Sequence, residues 1–437
     1  MRHEGLSCKL HRIAAYGVRL KNIKKLLNDK HSAGVTVYVI GHSSVPLAGL
    51  TFPTTIYFAN YEGEGTEGSS SLMHNKFVVL KDSAVWTGSY NFTVSATREQ
   101  DNNAVEIYSP ELARVFETEF INMYGPPLGR SSKTFGSVKV SSAVTAGTNV
   151  SGSSVTLRDG SVVKVYFNPY TTPKTVATAI EDEFLAPMFS DIKAPRETVC
   201  FALTWFTRSS IAEAIRGSRN ATTDLITAGI VDDQNTNTSI YHLFKTTGIP
   251  VAWDSRRSSF GRGLMHHKFG VIDPYLKNAR TITGSANWTD AGAGGDAGNK
   301  NDENIVIIYN PRVSGRFYEE FRRLYALTGM SSPSTTLKSV DNLVMYPSPA
   351  ASRTSIGFDL GPSVTKITVK IYSLSGGLVW TRTIEPPSIF PGFYNETEWN
   401  LTNSEGARAA PGLYFVKVEA VTPDGTFFAV KKMAVIK

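Results

Sequence analysis

Leu264-Met265-His266-His267-Lys268-Phe269-Gly270-Val271-Ile272-Asp273, followed by Thr283-Gly284-Ser285-Ala286-Asn287-Trp288-Thr289, decides how the chain is read. Alternation on a strand sends side chains i and i+2 to the same face, so His266 and Lys268 point the same way. Asp273 follows the lysine by five residues, and a Gly-Ser-x-Asn turn comes next. The same words occur earlier in the chain, the first 192 residues before as Leu72-Met73-His74-Asn75-Lys76-Phe77-Val78-Val79-Leu80 and the second 196 residues before as Thr87-Gly88-Ser89-Tyr90-Asn91-Phe92-Thr93.

Around each motif the same elements recur. Before the first, Ile13 to Tyr16 reads as a strand, Leu20 to Leu27 as a helix and Val35 to Ile40 as a strand. A further helix and a strand ending near Ile56 to Ala59 are expected next. Before the second, the pattern predicts a helix over Val176 to Phe184, a strand over Cys200 to Thr204 and a helix from Ser210. A strand near Leu225 to Val231, a helix around Tyr241 to Phe244 and a strand at Pro250 to Trp253 follow. After each motif comes a strand, at 101–108 and at 303–309, and then a helix opened by Pro110 or Pro311, where proline fits the first turn. From Ser109 to Tyr124 the copies agree without gaps at an offset of 201, pairing Phe116 with Phe317, Glu119 with Glu320 and Phe120 with Phe321. The chain is an internal duplication of an α/β unit.

Residues 125–163 are rich in Ser, Thr, Gly and Val without a helical period and read as a linker or an added hairpin. Residues 340–437 change to alternating strands at Ile356 to Leu360, Lys366 to Tyr372, Leu413 to Val418 and Phe427 to Val435, the pattern of a small β-sandwich. About 35 residues precede the strand at Cys200 in the second copy and only about nine precede Ile13 in the first. That count predicts that the chain begins inside the first unit, and Met1 to Gly5 lacks the apolar core of a signal peptide.

A chain of 437 residues exceeds one ordinary core. The net charge of +7 mildly favours polyanionic partners such as nucleic acid or an anionic lipid surface. Two cysteines, Cys8 and Cys200, exclude a disulfide scaffold and a cysteine-based zinc site, and Cys200 reads as a buried thiol. No apolar run reaches the length that spans a bilayer.

Two half-sites meeting across a pseudo-twofold would bring two histidines, two lysines and two asparagines to one cavity. That set suits displacement at a phosphodiester. One neutral imidazole attacks phosphorus to form a phosphohistidine, while the opposite imidazolium protonates the leaving oxygen and later takes a proton from water. Lys76, Lys268, Asn91 and Asn287 would stabilise the non-bridging oxygens, with no metal or other cofactor. No carboxylates cluster at metal-ligand spacing.

Residues 10–328 resemble the phospholipase D superfamily, whose signature is His-x-Lys, four residues, Asp, then Gly-Ser-x-Asn. The second copy fits fully with His266, Lys268, Asp273, Gly284, Ser285 and Asn287, whereas the first has Lys81 where Asp is expected, with Asp82 one residue late. The fold so implied is a pair of duplicated phospholipase D-like α/β sandwich units forming one catalytic body. The resemblance makes His74, Lys76, Asn91, His266, Lys268 and Asn287 catalytic, with Asp273 in support and Ser89, Ser285 and Arg262 on the substrate. It also implies a Glu or amide after each motif that orients the histidine. At offset 201 this is Glu303 in the second copy and Asn102 in the first. Assigning Glu303 to His266 makes His266 the general acid and His74 the nucleophile.

The C-terminal block, with Tyr346-Pro347-Ser348-Pro349, Val369 to Gly376, Trp399, Pro411-Gly412-Leu413-Tyr414 and the final Lys431 to Lys437, resembles the immunoglobulin-like tails of type IX secretion substrates and the flagellar-hook cap fold. This all-β immunoglobulin-like sandwich implies a secreted or surface location and outer-membrane secretion machinery as a partner. The expected organisation is a first half over 1–128, a linker over 129–163, a second half over 164–330, a linker over 331–342 and the sandwich over 343–437. Both half-sites lie on one chain, so a monomer is expected. Glu62, Glu64 and Glu67 precede the first motif while Arg256, Arg257 and Arg262 precede the second. Unlike walls suit a zwitterionic phospholipid head group better than a nucleic-acid backbone, which favours basic walls throughout. A secreted endonuclease of DNA or RNA, and an inactive phosphate-binding protein with a degenerate first motif, are the alternatives.

Overall fold

The computed structural model describes residues 10–42, 45, 47–52, 55–58, 72–124, 149–185, 198–221, 225–232, 236–255, 264–274, 278–294, 301–330, 340–360, 364–389, 394–423 and 425–436. The chain forms two compact units, residues 1–271 with 281–308, and residues 272–280 with 309–437.

The first half consists of β1 (Leu10–Ala15), α1 (Lys21–Ser32), β2 (Thr36–His42), β3 (Thr55–Phe58), β4 (Lys76–Leu80), β5 (Ala84–Gly88), α2 (Val94–Arg98), β6 (Ala104–Tyr108) and α3 (Pro110–Tyr124). Its strands make a six-stranded sheet in the order β3-β2-β1-β4-β5-β6. β1, β2 and β3 run parallel, and β4, β5 and β6 continue antiparallel. Leu27 of α1 joins Ile13, Ala15, Val37, Val39, Leu47 and Phe52 in one core under the parallel strands. The helix expected between β2 and β3 does not occur among the described residues there; residues 47–50 form a turn instead. Pro46, Gly49 and Pro53 supply the reason, since both residue types disfavour helix interiors.

The second half consists of β7 (Ser153–Thr156), β8 (Val162–Asn168), α4 (Val176–Leu185), β9 (Thr198–Leu203), α5 (Ser209–Ala221), β10 (Ile226–Asp232), α6 (Thr238–Thr246), β11 (Val251–Asp254), β12 (Lys268–Ile272), β13 (Arg280–Gly284), α7 (Asp290–Ala293), β14 (Glu303–Tyr309) and α8 (Pro311–Leu327). The sheet order β11-β10-β9-β12-β13-β14-β8-β7 repeats the first sheet and adds the hairpin β7–β8 beside β14. That addition turns β14 from an edge into an interior strand. Its sequence, Glu-Asn-Ile-Val-Ile-Ile-Tyr, is accordingly apolar in a continuous run, whereas β6 at the edge of the first sheet is mostly exposed.

The remaining strands are β15 (Val340–Tyr346), β16 (Thr354–Leu360), β17 (Lys366–Ser373), β18 (Leu378–Ile384), β19 (Tyr394–Trp399), β20 (Gly412–Thr422) and β21 (Gly425–Val435). They form a three-stranded sheet, β15-β16-β19, and a four-stranded sheet, β18-β17-β20-β21. Ile356, Phe358, Ile367, Val369, Ile371, Trp399, Val416 and Val418 fill one core, as the alternating pattern requires of a sandwich. Glu396 of β19 takes ion pairs from Arg312 and Arg316 of α8, at 2.8 and 3.2 Å. No helix among the described residues is long and apolar enough to cross a membrane.

Candidate active site

Both motifs sit at the same place in their sheets. Lys76 opens β4 and Lys268 opens β12; His74 and His266 lie two residues earlier, in extended segments that leave their own sheet. Each segment pairs with the other half. Met73 bridges Asp302 and Met265 bridges Asp101, and the His74 and His266 N–H groups donate to the carbonyls of Asp302 and Asp101 at 2.9 and 2.8 Å. The halves therefore exchange backbone across a pseudo-twofold, which brings the two histidines to one site.

A buried polar layer repeats the exchange. Asn304 donates to Asn75 Oδ1 at 2.8 Å and accepts from the Thr87 hydroxyl at 2.8 Å. Across the axis, Asn103 Oδ1 accepts from the Thr283 hydroxyl at 2.8 Å and its amide meets His267 Nδ1 at 3.1 Å. Buried amides so paired are satisfied, and they fix how the two halves meet.

The turn glycines are required by close approach. A Cβ on Gly88 would lie 2.3 Å from the Asn103 carbonyl oxygen, and one on Gly284 would lie 2.2 Å from that of Asn304. Ser89 and Ser285, expected on the substrate, are fully buried instead. Each Oγ accepts a backbone N–H, from Asn103 and Asn304 respectively, at 3.0 Å. Their hydroxyls are thus committed to holding the strand that carries Asn102 or Glu303. Asn91 and Asn287 are only partly buried, and the side-chain oxygen of each has no hydrogen-bond partner among the described residues.

One expectation is corrected outright. Glu303 does not orient His266; its Oε1 lies 2.6 Å from Nδ1 of His74. His266 Nδ1 instead donates to Asn102 Oδ1 at 2.7 Å. The offset located both orienting groups, but the backbone exchange hands each to the opposite histidine. Glu303 therefore cannot make His266 the general acid.

The electrostatics are those of a site short of negative charge. Burial, then Lys76, Lys268 and His42, holds His74 well below the usual imidazole range. Burial, then Lys268, Lys76, His74 and His267, does the same to His266. Burial lowers Lys76 to about 7 and Lys268 well below its ordinary value, only partly countered by Glu303. Burial also pushes Glu303 up to about 8, against the pull of Lys76, Ser285, Asn301 and Lys268. An anion entering the site would relieve the cations and favour their charged forms. Among the described residues no group of three or more His, Cys, Asp or Glu is placed to hold a metal ion.

Asp273 is buried and accepts from the Asn278 amide at 2.6 Å, whereas Asp82 is exposed on the β4–β5 turn beside Arg114 at 3.3 Å. The first motif has therefore lost the buried carboxylate rather than shifted it. Arg262, together with Glu62, Glu64, Glu67, Arg256 and Arg257, lies outside the described residues. Two site residues were missed by sequence reasoning. The Tyr16 ring meets the His74 ring edge-on at 5.3 Å and stacks on His42 at 5.2 Å. Their only signal was position, just past β1 and at the end of β2, where strand ends in α/β sheets gather ligand groups.

The family model described as cardiolipin synthase, PLD-like domain, matches residues 9–124 and 188–325, more than half of the chain. The chain belongs to this phospholipase D-like family. The curated relatives it matches include the mitochondrial cardiolipin hydrolase of Chlamydomonas reinhardtii, 31% identical over 94 residues, 22% of this chain and 36% of that protein. The mouse mitochondrial cardiolipin hydrolase is 35% identical over 89 residues, 20% of this chain and 34% of that protein. The chain thus spans about a third of the length of these relatives. Among solved structures, the phospholipase D family member Nuc of Salmonella typhimurium is 20% identical, with 38% of this chain and 95% of that chain covered at a TM-score of 0.30. Within the family pattern, one chain here supplies both histidine–lysine pairs to one site.

Proposed function

We propose that this family member is a phosphodiesterase that hydrolyses phospholipid head-group diesters through a phosphohistidine. The observation that carries the reading is the meeting of two buried histidine–lysine pairs at one site, where burial and their mutual repulsion depress every cation. A monoanionic diester matches that need, and the Asn91 and Asn287 side chains would contribute through their amide N–H groups, which alone can donate to its oxygens. The lipid direction is favoured by the relatives that bear the name cardiolipin hydrolase.

Roles follow from the crossed partners. With Glu303 ionised, as the neighbouring Lys76 and Lys268 favour, His74 Nδ1 donates to it over 2.6 Å and the lone pair stands on Nε2. Nε2 attacks phosphorus, the bond to the leaving oxygen breaks, and the carboxylate stabilises the cationic ring that results. His266, paired with an amide rather than a carboxylate, is the stronger acid once protonated. It gives its proton to the leaving oxygen and then takes one from water, whose attack on phosphorus breaks the N–P bond and restores His74. Lys76 and Lys268 hold the non-bridging oxygens. The C-terminal sandwich is proposed as an export and sorting domain that delivers the enzyme to the cell surface or medium, with secretion machinery as its partner and the chain as a monomer. Retention inside the cell with residues 343–437 present would refute that delivery.

The test measures product release from phosphatidylcholine vesicles and from single-stranded DNA, each with EDTA, for the wild type and His266→Ala. Choline release that survives chelation and is lost in the variant is the expected result. Cleavage of DNA alone would move the substrate to nucleic acid with the same residues. Phosphate trapped on His266 rather than His74 would reverse the roles.

A further inference from the structure

The two lysines sit differently on their histidines. Lys268 Nζ lies 3.1 Å from Nε2 of His266, the nitrogen left unprotonated by the bond from Nδ1 to Asn102. Both lysines donate to the carbonyl of their own histidine, Lys268 to His266 at 3.1 Å and Lys76 to His74 at 2.7 Å, but Lys76 Nζ lies 5.7 Å from the centroid of the Tyr16 ring. No hydrogen bond to His74 Nε2 occurs among the described residues.

The cause lies in a difference between the halves. Tyr16 donates its N–H to the Asn75 carbonyl at 3.0 Å, and Thr204 makes the matching bond to the His267 carbonyl at 2.9 Å. The two residues therefore hold equivalent places. Thr204 turns its hydroxyl back to the Met265 and His267 carbonyls and offers no π face. Tyr16 offers one, and the buried His42 ring stacks behind it at an interplanar angle of 25°. The position of His42 at the end of β2 is taken by Asp232 at the end of β10.

We propose that Tyr16 is a positioning residue that draws Lys76 onto its ring face and so keeps the ammonium off Nε2 of His74. One half-site then presents an open imidazole nitrogen and the other a lysine-engaged one. An ammonium within about 6 Å of an aromatic centroid is attracted by the ring quadrupole, more strongly when both are desolvated. Without the ring, the Lys76 ammonium is free to share itself between the His74 carbonyl and Nε2, as Lys268 does at 3.1 Å to each of its two acceptors. His42 backs the ring and fixes its tilt. The consequence for reaction rests on the phosphodiesterase reading, since it assigns attack to His74; the lysine placement itself does not.

Tyr16→Leu and Tyr16→Phe separate ring from hydroxyl. With bis(p-nitrophenyl) phosphate, the burst of p-nitrophenolate reports formation of the phosphoenzyme. The burst should slow by about tenfold in Tyr16→Leu, the scale of a desolvated cation–π contact, and stay near wild type in Tyr16→Phe. KM should move by less than about twofold, because substrate binding is not what the ring governs. In parallel, the ¹⁵N shift of His74 Nε2 in the unliganded protein should move toward the value of His266 Nε2 in Tyr16→Leu only. An unchanged Nε2 shift, or equal losses in both variants, would overturn the proposal. A wild type that releases no p-nitrophenolate at all would refute the phosphodiesterase reading instead, and the shift would still decide where Lys76 sits.

Discussion

The two halves carry the same His-x-Lys and Gly-Ser-x-Asn words, yet the second is packed as a protein interior and the first is not. β12 and β13 are buried at every position, and β14 at all but its last. Their counterparts β4 and β5 each keep partly exposed positions, and β6 is largely exposed. Two additions account for this: the β7–β8 hairpin gives β14 a second neighbour, and α4 lays Phe184 against Trp288, whose ring is 5.9 Å away, over Gly270. In the first half Phe92 holds the place of Trp288 and is only partly buried, against Trp86 at 5.1 Å. The same division runs through the chemistry. The less buried half supplies His74 while the more buried half supplies its carboxylate, so the well-packed unit anchors the group on which orientation depends.

Exchanging the orienting groups should have the largest effect. Glu303→Gln should lower kcat by about a hundredfold or more, the range of a lost acid–base contribution, with the His74 ring still held by a hydrogen bond. Asn102→Asp, on the other histidine, should cost far less. Equal losses in steady-state kinetics would mean that the halves share their roles rather than divide them. Stability should divide as burial does. Trp288→Ala is expected to cost about 3–5 kcal/mol in denaturant unfolding, as for other fully buried aromatics, and Phe92→Ala about half of that or less. A larger loss at Phe92 would make the first sheet the better-packed one in solution.

What could be read beforehand follows the same line. His74, Lys76, His266, Lys268 and the turn residues were legible because the chemistry demands those side chains at a spacing that a strand converts into a shared face. The duplication was legible because a helix, β14 and β6, and the glycine turns all repeat. The partner of Glu303 was not, because nothing local distinguishes a carboxylate that serves its own half from one carried across by the Met73–Asp302 bridge. Ser89 and Ser285 were misread for a related reason: a hydroxyl in a glycine turn suits an anion and a backbone N–H equally well. Tyr16 and His42 lie far from the motifs in sequence and become part of the site only when β1 and β2 place them beside His74.

A smaller effect separates the lysines by pH. Lys76 is ammonium below about 7 and amine above it. kcat/KM for a diester should therefore fall on the alkaline side first as the general acid His266, held below the usual imidazole range, deprotonates, and then more steeply above about 7 as Lys76 loses its charge. Lys76→Arg keeps the charge and should move that limb upward; a limb unmoved in Lys76→Arg would assign it elsewhere. The stability sign is fixed by the same shift. The folded value is depressed from 10.5, so the contribution is fully present above 10.5 and is lost as pH falls to about 7. Lys76→Met should accordingly raise thermal stability more at pH 6 than at pH 9. Glu303 runs the other way: its value is raised from 4.5 to about 8, so stability is lost as pH rises across that window.

The smallest expected difference concerns the motif aspartates. Asp82 and Asp273 both adopt left-handed backbone, with φ of 53° and 47°, a conformation that Asp and Asn tolerate better than most residues. Substitution by Asn therefore leaves the turn intact in both halves and isolates the carboxylate. At Asp82 the partner is an exposed arginine, and screening by water leaves such a pair worth about 0–1 kcal/mol. At Asp273 the group is buried and accepts a hydrogen bond from Asn278, so replacing one oxygen by an NH₂ puts two donors face to face. Asp273→Asn should then cost about 1–3 kcal/mol in denaturant unfolding while Asp82→Asn stays within about 0.5 kcal/mol of the wild type. If Asp82→Asn proved as costly, Asp82 would be acting as the buried motif residue after all, and the first copy would have shifted its carboxylate rather than dispensed with it.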